Sequence, residues 1–379
     1  MPGSLTLLLA ILAVGFLIVV HEGGHYFAAR WCGMRVERFS IGFGPGLLKH
    51  EAKSGTVFQL APIPFGGFVE IRGMNIAEDI DPDDVHAYPN RPAWQRFVTI
   101  FAGPATNYLS AIVLAFGLYT CHGVDDTRRL VVAEVKPEYD ARGKLASGDR
   151  IVEVNRRPYV IAEGQPTLPE LINEAKGAPV TLTVERDGAR LDVMVRPKLD
   201  NEATAQALAA VAELQKVAPD AAAALGAVVK RLPEQKWRIG VVQQAPVVSV
   251  GVVDATKLAL KYPVAQTKAI GAMLYGIVFG SEKADPGGPI RMVEEFQNQF
   301  SQGLSYGVKL LMALSVYLGL FNLLPIPALD GGRLVFLAYE LVTRRRPNPK
   351  IEAMVHMAGI MALAVVMILV LIVDVRRLF

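Results

Sequence analysis

Two histidines and a glutamate lie together at the end of an apolar stretch near the start of the chain. They are His21, Glu22 and His25 in the sequence HEGGH, and the run from Leu5 to Val20 before them carries no charge. Residues four apart share one face of a helix, so both imidazoles can bind one zinc ion while the glutamate handles protons beside it. Because such residues are costly in a bilayer without a partner or a function, the pattern predicts a zinc hydrolase with its active site inside a membrane.

Asp330 is the candidate for the third zinc ligand. It ends the run NLLPIPALD, which begins at Asn322. Catalytic zinc usually has three protein ligands and a water, so His21, His25 and Asp330 would hold Zn2+ with Glu22 as the catalytic base. The alternative interpretations are a chance motif match with hydrogen-bonded core histidines, and a helix that ends at prolines before an Asp-Gly turn.

Asn322 is a polar residue within the third apolar stretch of the chain. Its amide can form a hydrogen bond between helices. It can also hold an unwound substrate strand, because a helical substrate hides the carbonyl groups that a protease must reach. The sequence leaves both roles open.

The composition predicts a membrane protein with a soluble part. The chain has 379 residues, 52% of them hydrophobic, and a mean hydropathy of +0.32. The net charge of +3 gives no indication of nucleic-acid binding. Four stretches are long and apolar enough to span a bilayer, at about 4–29, 97–120, 308–324 and 353–373. The two cysteines, Cys32 and Cys121, are then expected on opposite membrane faces, which excludes a disulfide between them.

Loop charge predicts the orientation of these spans. The segments after the first and third spans are rich in arginine and lysine, and both are therefore expected in the cytoplasm. The segment from Cys121 to about Gly307 and both termini are then outside. His21 and His25 lie in the cytoplasmic half of the first span, and Asp330 follows the cytoplasmic end of the third, so the three can meet at a similar depth.

The segments between the spans contain strand and helix patterns. Short alternations at 57–60 and 68–71 predict strands or a hairpin that can dip into the membrane. In the outside segment, strands are predicted at 130–135, 150–154, 180–186 and 189–195, with a helix at 167–175 and a turn at Asp187-Gly188. An Ala-rich stretch at 201–230 is predicted to be helical, and a strand pattern returns at 237–250. Residues 254–280 predict an amphipathic helix on the outer membrane surface.

HEGGH in the first span and NLLPIPALDGG in the third closely resemble the site-2 protease family of intramembrane zinc metalloproteases. The bacterial branch that cleaves anti-sigma factors, the sigma-E regulator protease type, is the nearest match, and GFGP (42–45), PFGGFV (64–69) and AGPATN (102–107) are similar to it. The resemblance implies zinc bound by His21, His25 and Asp330, with Glu22 as the base. It also implies a substrate-binding role for Asn322 and a membrane-associated hairpin at 65–71 near the site.

The sequence LASGDRIVEVN (145–155) resembles the core of a PDZ domain of the bacterial permuted type. Only one such domain is evident, with an Ala-rich insertion at about 200–235 placed before its last strand, 239–242. Residues 238–241 could supply a carboxylate-binding loop, and PDZ domains usually bind peptide ends by strand addition. The alternative is a rigid size filter that keeps bulky ectodomains away.

The predicted fold class is an α-helical membrane protein with four transmembrane helices, a membrane-associated β-hairpin region and an extracytoplasmic α/β PDZ-like domain. The N-terminal membrane half would cover 1–120, the PDZ-like domain 121–250, amphipathic juxtamembrane helices 251–307, and the C-terminal membrane half 308–379.

The protein is predicted to be an intramembrane zinc endopeptidase of a bacterial inner membrane. The expected partners are the lipid bilayer and a single-pass membrane protein already cut once, such as an anti-sigma factor, in regulated intramembrane proteolysis. One alternative is a non-proteolytic PDZ-type membrane scaffold with a vestigial metal site. Another is a zinc transporter, which would need polar residues distributed across the bilayer.

Overall fold

The computed structural model describes residues 3–75, 78–162, 165–199, 236–280 and 288–376. The chain divides into two compact units. One is formed by Met1–His122 together with Val250–Phe379, and the other by Gly123–Ser249. The predicted Ala-rich insertion at about 200–235 lies outside the described residues.

Long helices dominate the first unit. The described helices, in chain order, are α1 (Gly3–Trp31), α2 (Ala93–Cys121), α3 (Leu168–Glu174, in the second unit), α4 (Val252–Val278), α5 (Pro289–Gln302), α6 (Leu304–Leu323), α7 (Asp330–Thr343) and α8 (Pro349–Arg376). Helices α1, α2, α6 and α8 are long and apolar enough to cross a membrane, which confirms the prediction of four candidate spans.

Helix α2 lies between α1 and α6 and runs antiparallel to both. Its first half meets the end of α1, where Gly24 faces Ala102, and its last turns meet the start of α6, where Leu118 packs with Met312. A Cβ on Gly24 would clash with the Ala102 carbonyl oxygen. Small residues let membrane helices approach closely. Gly24 is therefore needed for the close packing of α1 against α2.

A four-stranded sheet connects α1 to α2. Its strands are β1 (Val36–Phe43), β2 (Leu48–Glu51), β3 (Val57–Leu60) and β4 (Ile63–Ile71), in the order β2-β3-β1-β4. Strand β4 pairs antiparallel with β1 and forms one edge of the sheet, whereas β1 and β3 are parallel. The sequence predicted β3 and the second half of β4. Buried Met34, Val36 and Ile71 pack the sheet against the end of α1.

Helix α4 packs lengthwise against α2 and α6. Ala259 packs near Leu118 at the end of α2, and further along, the Thr267 hydroxyl lies 3.0 Å from that of Tyr108. The helix therefore runs alongside an apolar span over several turns, and its predicted position at the membrane surface stays a prediction. Ala259 is buried in this contact, and Ala255 of the same helix is also buried.

Helix α5 covers the first half of α1. Phe296 and Phe300 are buried against Ala10, Ala13 and Leu17 of α1. The small alanine side chains let the two rings pack closely against α1. Burying side chains as large as phenylalanine removes a large apolar area from solvent.

The second unit is a small α/β fold. Its strands are β5 (Val124–Asp125), β6 (Val131–Val135), β7 (Arg150–Val154), β8 (Arg157–Pro158), β9 (Val180–Arg186), β10 (Ala189–Val195), β11 (Lys198–Leu199), β12 (Trp237–Arg238), β13 (Val241–Gln244) and β14 (Val247–Val248). The main sheet has the order β10-β9-β7-β8, and three two-stranded pairings join β11 to β12, β13 to β6 and β14 to β5.

The elements predicted for this unit are close to those observed. Strands β9 and β10 form a hairpin whose turn residues Asp187 and Gly188 both have positive φ, at 51° and 80°. Thr167 and Glu170 form a capping box at the start of α3. The last predicted strand, 239–242, is observed slightly later as β13, which pairs with β6.

Candidate metal centre

Three side chains from the two ends of the chain meet in the first unit. His21 and His25 lie one turn apart on α1, and Asp330 is the first residue of α7. Asp330 Oδ2 lies 3.2 Å from the Nε2 atom of each histidine, and the two Nε2 atoms are 3.4 Å apart. Both histidines are buried. Among the described residues this is the only group of three or more histidine, cysteine and acidic side chains close enough to share a metal ion.

The triangle of donor atoms has the size that zinc requires. With bonds of about 2.0–2.1 Å in a tetrahedral site, two ligand atoms lie about 3.3–3.4 Å apart. Asp330 Oδ2 is buried and has no hydrogen-bond partner among the described residues. A buried carboxylate oxygen without a partner is costly, and a cation at the centre of the triangle would compensate it. Two imidazoles and a carboxylate are also a ligand set found in catalytic zinc sites.

The chain before Asp330 folds back closely over the start of α7. A Cβ on Gly331 would clash with the Leu324 carbonyl oxygen, so only glycine allows this approach. Ala328 has a φ of 79°, in the left-handed region, and its N–H donates to His356 Nδ1 at 3.3 Å. His356 of α8 therefore contacts the loop that precedes Asp330.

Helix α2 supplies the hydrogen-bond partners of both imidazoles. His25 Nδ1 lies 2.9 Å from the Thr99 carbonyl oxygen, and His21 Nδ1 lies 2.9 Å from the Asn107 side-chain amide. The sequence interpretation did not identify these contacts. A backbone carbonyl leaves no sequence signal, but Asn107 could have been noticed as an amide side chain within an apolar span.

Glu22 lies beside strand β4. Its Cγ is close to Gly67 of that strand. Glu22 does not belong to the triangle of donor atoms, although it lies between the two histidines in sequence.

Asn322 lies in the last turn of α6, partly exposed. Its side-chain amide donates to the Leu318 carbonyl of the same helix at 3.0 Å. Among the described residues this amide forms no hydrogen bond to another helix, and its substrate-binding role stays a prediction. The cysteines are free, as expected, with Cys32 buried and Cys121 exposed.

Comparison with known proteins identifies the family of the chain. The model of peptidase family M50 matches residues 9–366. The chain belongs to family M50, the site-2 protease family. Among its relatives is a protein of Rickettsia conorii named zinc metalloprotease, 29% identical over 375 residues that cover 97% of this chain and 98% of the relative.

Two further relatives agree with this membership. A protein of Brucella suis, also named zinc metalloprotease, is 30% identical over 353 residues, covering 90% of this chain and 86% of the relative. Metalloprotease MmpA of Caulobacter vibrioides is 29% identical over 398 residues, covering 95% of this chain and 93% of the relative. This M50 chain is therefore a membrane zinc metalloendopeptidase, which argues against a scaffold or a transporter.

Proposed function

We propose that this M50 protein cleaves peptide bonds within the membrane, with zinc held by His21, His25 and Asp330 and with Glu22 as the base. The observation that carries the assignment is the triangle of donor atoms, with edges of 3.2, 3.2 and 3.4 Å. The position of both histidines on an apolar helix long enough to span supports a site below the membrane surface.

Glu22 has the position and chemistry of a proton carrier. Zinc bound at the triangle would act as a Lewis acid that makes water more acidic and polarises a carbonyl group. The Glu22 carboxylate accepts the proton of the attacking water and then donates it to the leaving amine nitrogen. Gly67 lets strand β4 approach α1 closely, because a Cβ there would lie 2.6 Å from Ile18 Cγ2 and 3.1 Å from Glu22 Cγ.

Strand β4 is the proposed docking edge for substrate. It is an edge strand of its sheet and lies beside Glu22, so an extended peptide can pair with it by strand addition. An unwound segment exposes the carbonyl groups that a helix would hide. Asn322, at the end of α6, would hold this segment from the other side. The need for an unwound segment favours, as substrate, a single-pass membrane protein that has already been cut once. By sequence resemblance an anti-sigma factor is the proposed example.

The second unit is proposed to be a PDZ-like domain that acts as a size filter outside the membrane. In a peptide-binding PDZ domain a groove between helix and strand accepts the ligand. Here the Trp237 N–H of β12 donates to Asn173 Oδ1 of α3 at 2.9 Å, and the Trp237 ring lies against Gly177 after that helix. This direct contact between strand and helix favours a rigid filter over a peptide-binding groove.

Metal content and cleavage together test the proposed site. The full-length protein is reconstituted with a single-pass substrate shortened on its outer side. Glu22→Gln should retain zinc and lose cleavage, and His21→Ala and Asp330→Ala should lose both. Glu51→Gln, at an exposed position of β2, is the matched control and should behave as wild type. Full activity of Glu22→Gln would refute its role as the base, and unchanged zinc in Asp330→Ala would refute its role as a ligand.

The proposed location is the bacterial inner membrane, with the second unit and both termini outside the cytoplasm. The positive charge of the loops after the first and third spans supports this orientation. Cys121 ends α2 and is exposed, whereas Cys32 is buried. A maleimide that cannot cross membranes should therefore label Cys121 in spheroplasts, and Cys121→Ser is the control. Labelling only in inverted vesicles would reverse the orientation.

A further inference from the structure

Helix α2 holds the ring nitrogens of His21 and His25 that face away from the triangle. The Thr99 carbonyl oxygen lies 2.9 Å from His25 Nδ1, and the Asn107 amide lies 2.9 Å from His21 Nδ1. Asn107 itself is fully buried. The Nε2 atoms of both rings point instead towards Asp330.

The protonation of the rings determines what each partner must offer. An imidazole that binds a metal through Nε2 carries its proton on Nδ1 and donates it. The Thr99 carbonyl can only accept, so it suits such a ring. The Asn107 amide can accept through its oxygen or donate through its nitrogen. Nδ2 is the atom placed at 2.9 Å, whereas Oδ1 is buried without a hydrogen-bond partner among the described residues.

Turning the Asn107 amide by half a rotation removes the contact between two donors, Nδ2–H and Nδ1–H. The oxygen and nitrogen of an amide are nearly equal in size, so the exchange needs no repacking. Oδ1 then accepts the hydrogen bond from His21 Nδ1–H and gains the partner that it otherwise lacks. Two N–H donors that face each other cannot form a hydrogen bond, so this orientation is favoured when Nε2 binds metal and Nδ1 carries the proton.

We propose that Asn107 is a positioning residue for zinc, because its side-chain oxygen fixes the tautomer and the ring orientation of His21. The inference rests on the proposed role of His21 as a ligand and adds a residue from a different helix to the site.

Asn107 is itself held in place by its neighbours. Its backbone carbonyl accepts hydrogen bonds from the hydroxyls of Ser110, at 2.9 Å, and Ser315 of α6, at 3.0 Å. One residue before it, the Thr106 hydroxyl donates to the Val20 carbonyl of α1 at 2.8 Å. A partner that is fixed from two sides can orient a ligand within a narrow range of angles.

Zinc affinity tests the proposal independently of catalysis. Purified full-length variants are titrated with zinc against a chromophoric chelator. Asn107→Leu has a similar size but no acceptor, and its Kd should rise by about 10–100-fold. Asn107→Asp keeps an acceptor and should bind zinc at least as tightly as wild type. Tyr108→Phe is the control, because it removes a hydroxyl of the same helix that faces Thr267 instead of the histidines.

Each result decides one assignment. If Asn107→Leu binds zinc as wild type does while His21→Ala loses it, the positioning role is refuted and the ligand assignment stands. Equal weakening in Asn107→Leu and Asn107→Asp would show a packing effect and also refute the proposal. If His21→Ala keeps its zinc, the proposed function itself fails. If Asn107→Leu does not fold, Asn107→Ala replaces it in the same comparison.

Discussion

A buried ion pair fixes the helix that begins with Asp330. Arg96 near the start of α2 donates to Glu340 near the end of α7 at 2.6 Å, and each side chain is only 10% exposed. Arg96 also donates to the Arg91 carbonyl and lies over the Tyr88 ring. Glu340 has a second cation, the exposed Arg346, at 3.5 Å. Glu340 therefore keeps a cation when Arg96 is removed, whereas Arg96 loses its hydrogen-bonded carboxylate when Glu340 is removed.

This asymmetry determines how much each substitution is expected to lower the free energy of unfolding. Glu340→Leu leaves the buried Arg96 without its hydrogen-bonded carboxylate, and removing one partner of a buried ion pair costs about 3–5 kcal/mol. Arg96→Met leaves Glu340 paired with Arg346, so it should cost less, about 1–3 kcal/mol, since a hydrogen-bonded partner remains. Replacing both residues by apolar side chains of similar volume should be close to neutral. The double variant is therefore expected to be more stable than Glu340→Leu alone.

A double-mutant cycle measures these differences. The free energies of unfolding of the wild type, both single variants and the double variant are compared in the same mixed micelles, and zinc affinity is measured in parallel. Because α7 starts at Asp330, the zinc affinity of Glu340→Leu should fall and that of the double variant should recover. Strictly additive effects, or a larger loss for Arg96→Met than for Glu340→Leu, would refute the reasoning.

Three further predictions concern helix packing, acid stability and metal. Gly24→Ala should cost about 1–3 kcal/mol because its Cβ clashes with Ala102, whereas Gly15→Ala on the same helix meets nothing within 4 Å and should be neutral or slightly stabilising in thermal unfolding. Burial raises the pKa of Asp149, but hydrogen bonds from Arg186 and the Ala146 N–H outweigh it and hold this pKa below the usual 3.8. The stabilisation of the fold by Asp149 is therefore complete above pH 3.8 and is lost as the pH falls through the lowered pKa of this carboxyl. The protection of β9 amides from hydrogen exchange should therefore depend less on pH in this range in Asp149→Asn than in the wild type. Removal of zinc by a chelator should lower stability by about 2.7 kcal/mol relative to a zinc concentration of 100 Kd, and equal melting temperatures with and without zinc would contradict this.

Local spacing was sufficient to predict the histidine pair and its helix. His21 and His25 share a face of α1 because a helix repeats every 3.6 residues, and the apolar run before them predicts the span. Asp330 is more than 300 positions away in sequence, and only the predicted topology of the spans places it at a similar membrane depth to the histidines. The structure brings these three side chains together, and their role as ligands is the proposal made above.

Other features depend on contacts that sequence patterns do not contain. The position of α4 beside α2 follows from a complementary fit of small residues, whereas its amphipathic pattern suits a membrane surface equally well. Strand β1 has no regular alternation, because it lies between β3 and β4 and is covered along much of its length. The Thr99 carbonyl is a backbone atom, so its contact with His25 is invisible until the helices are packed.

One face of α2 contacts both helices that carry the donor atoms of the triangle, α1 and α7. Arg96, Thr99, Gly103 and Asn107 follow each other at spacings of three or four residues, which places them on one side of a helix. Thr99 and Asn107 contact the histidines of α1, Gly103 provides the space for the His25 ring, and Arg96 holds α7. Because all four lie on a single rigid helix, a shift of α2 displaces the histidines and the aspartate together. Helix α2 therefore fixes the relative position of α1 and α7, the two helices that carry the donor atoms.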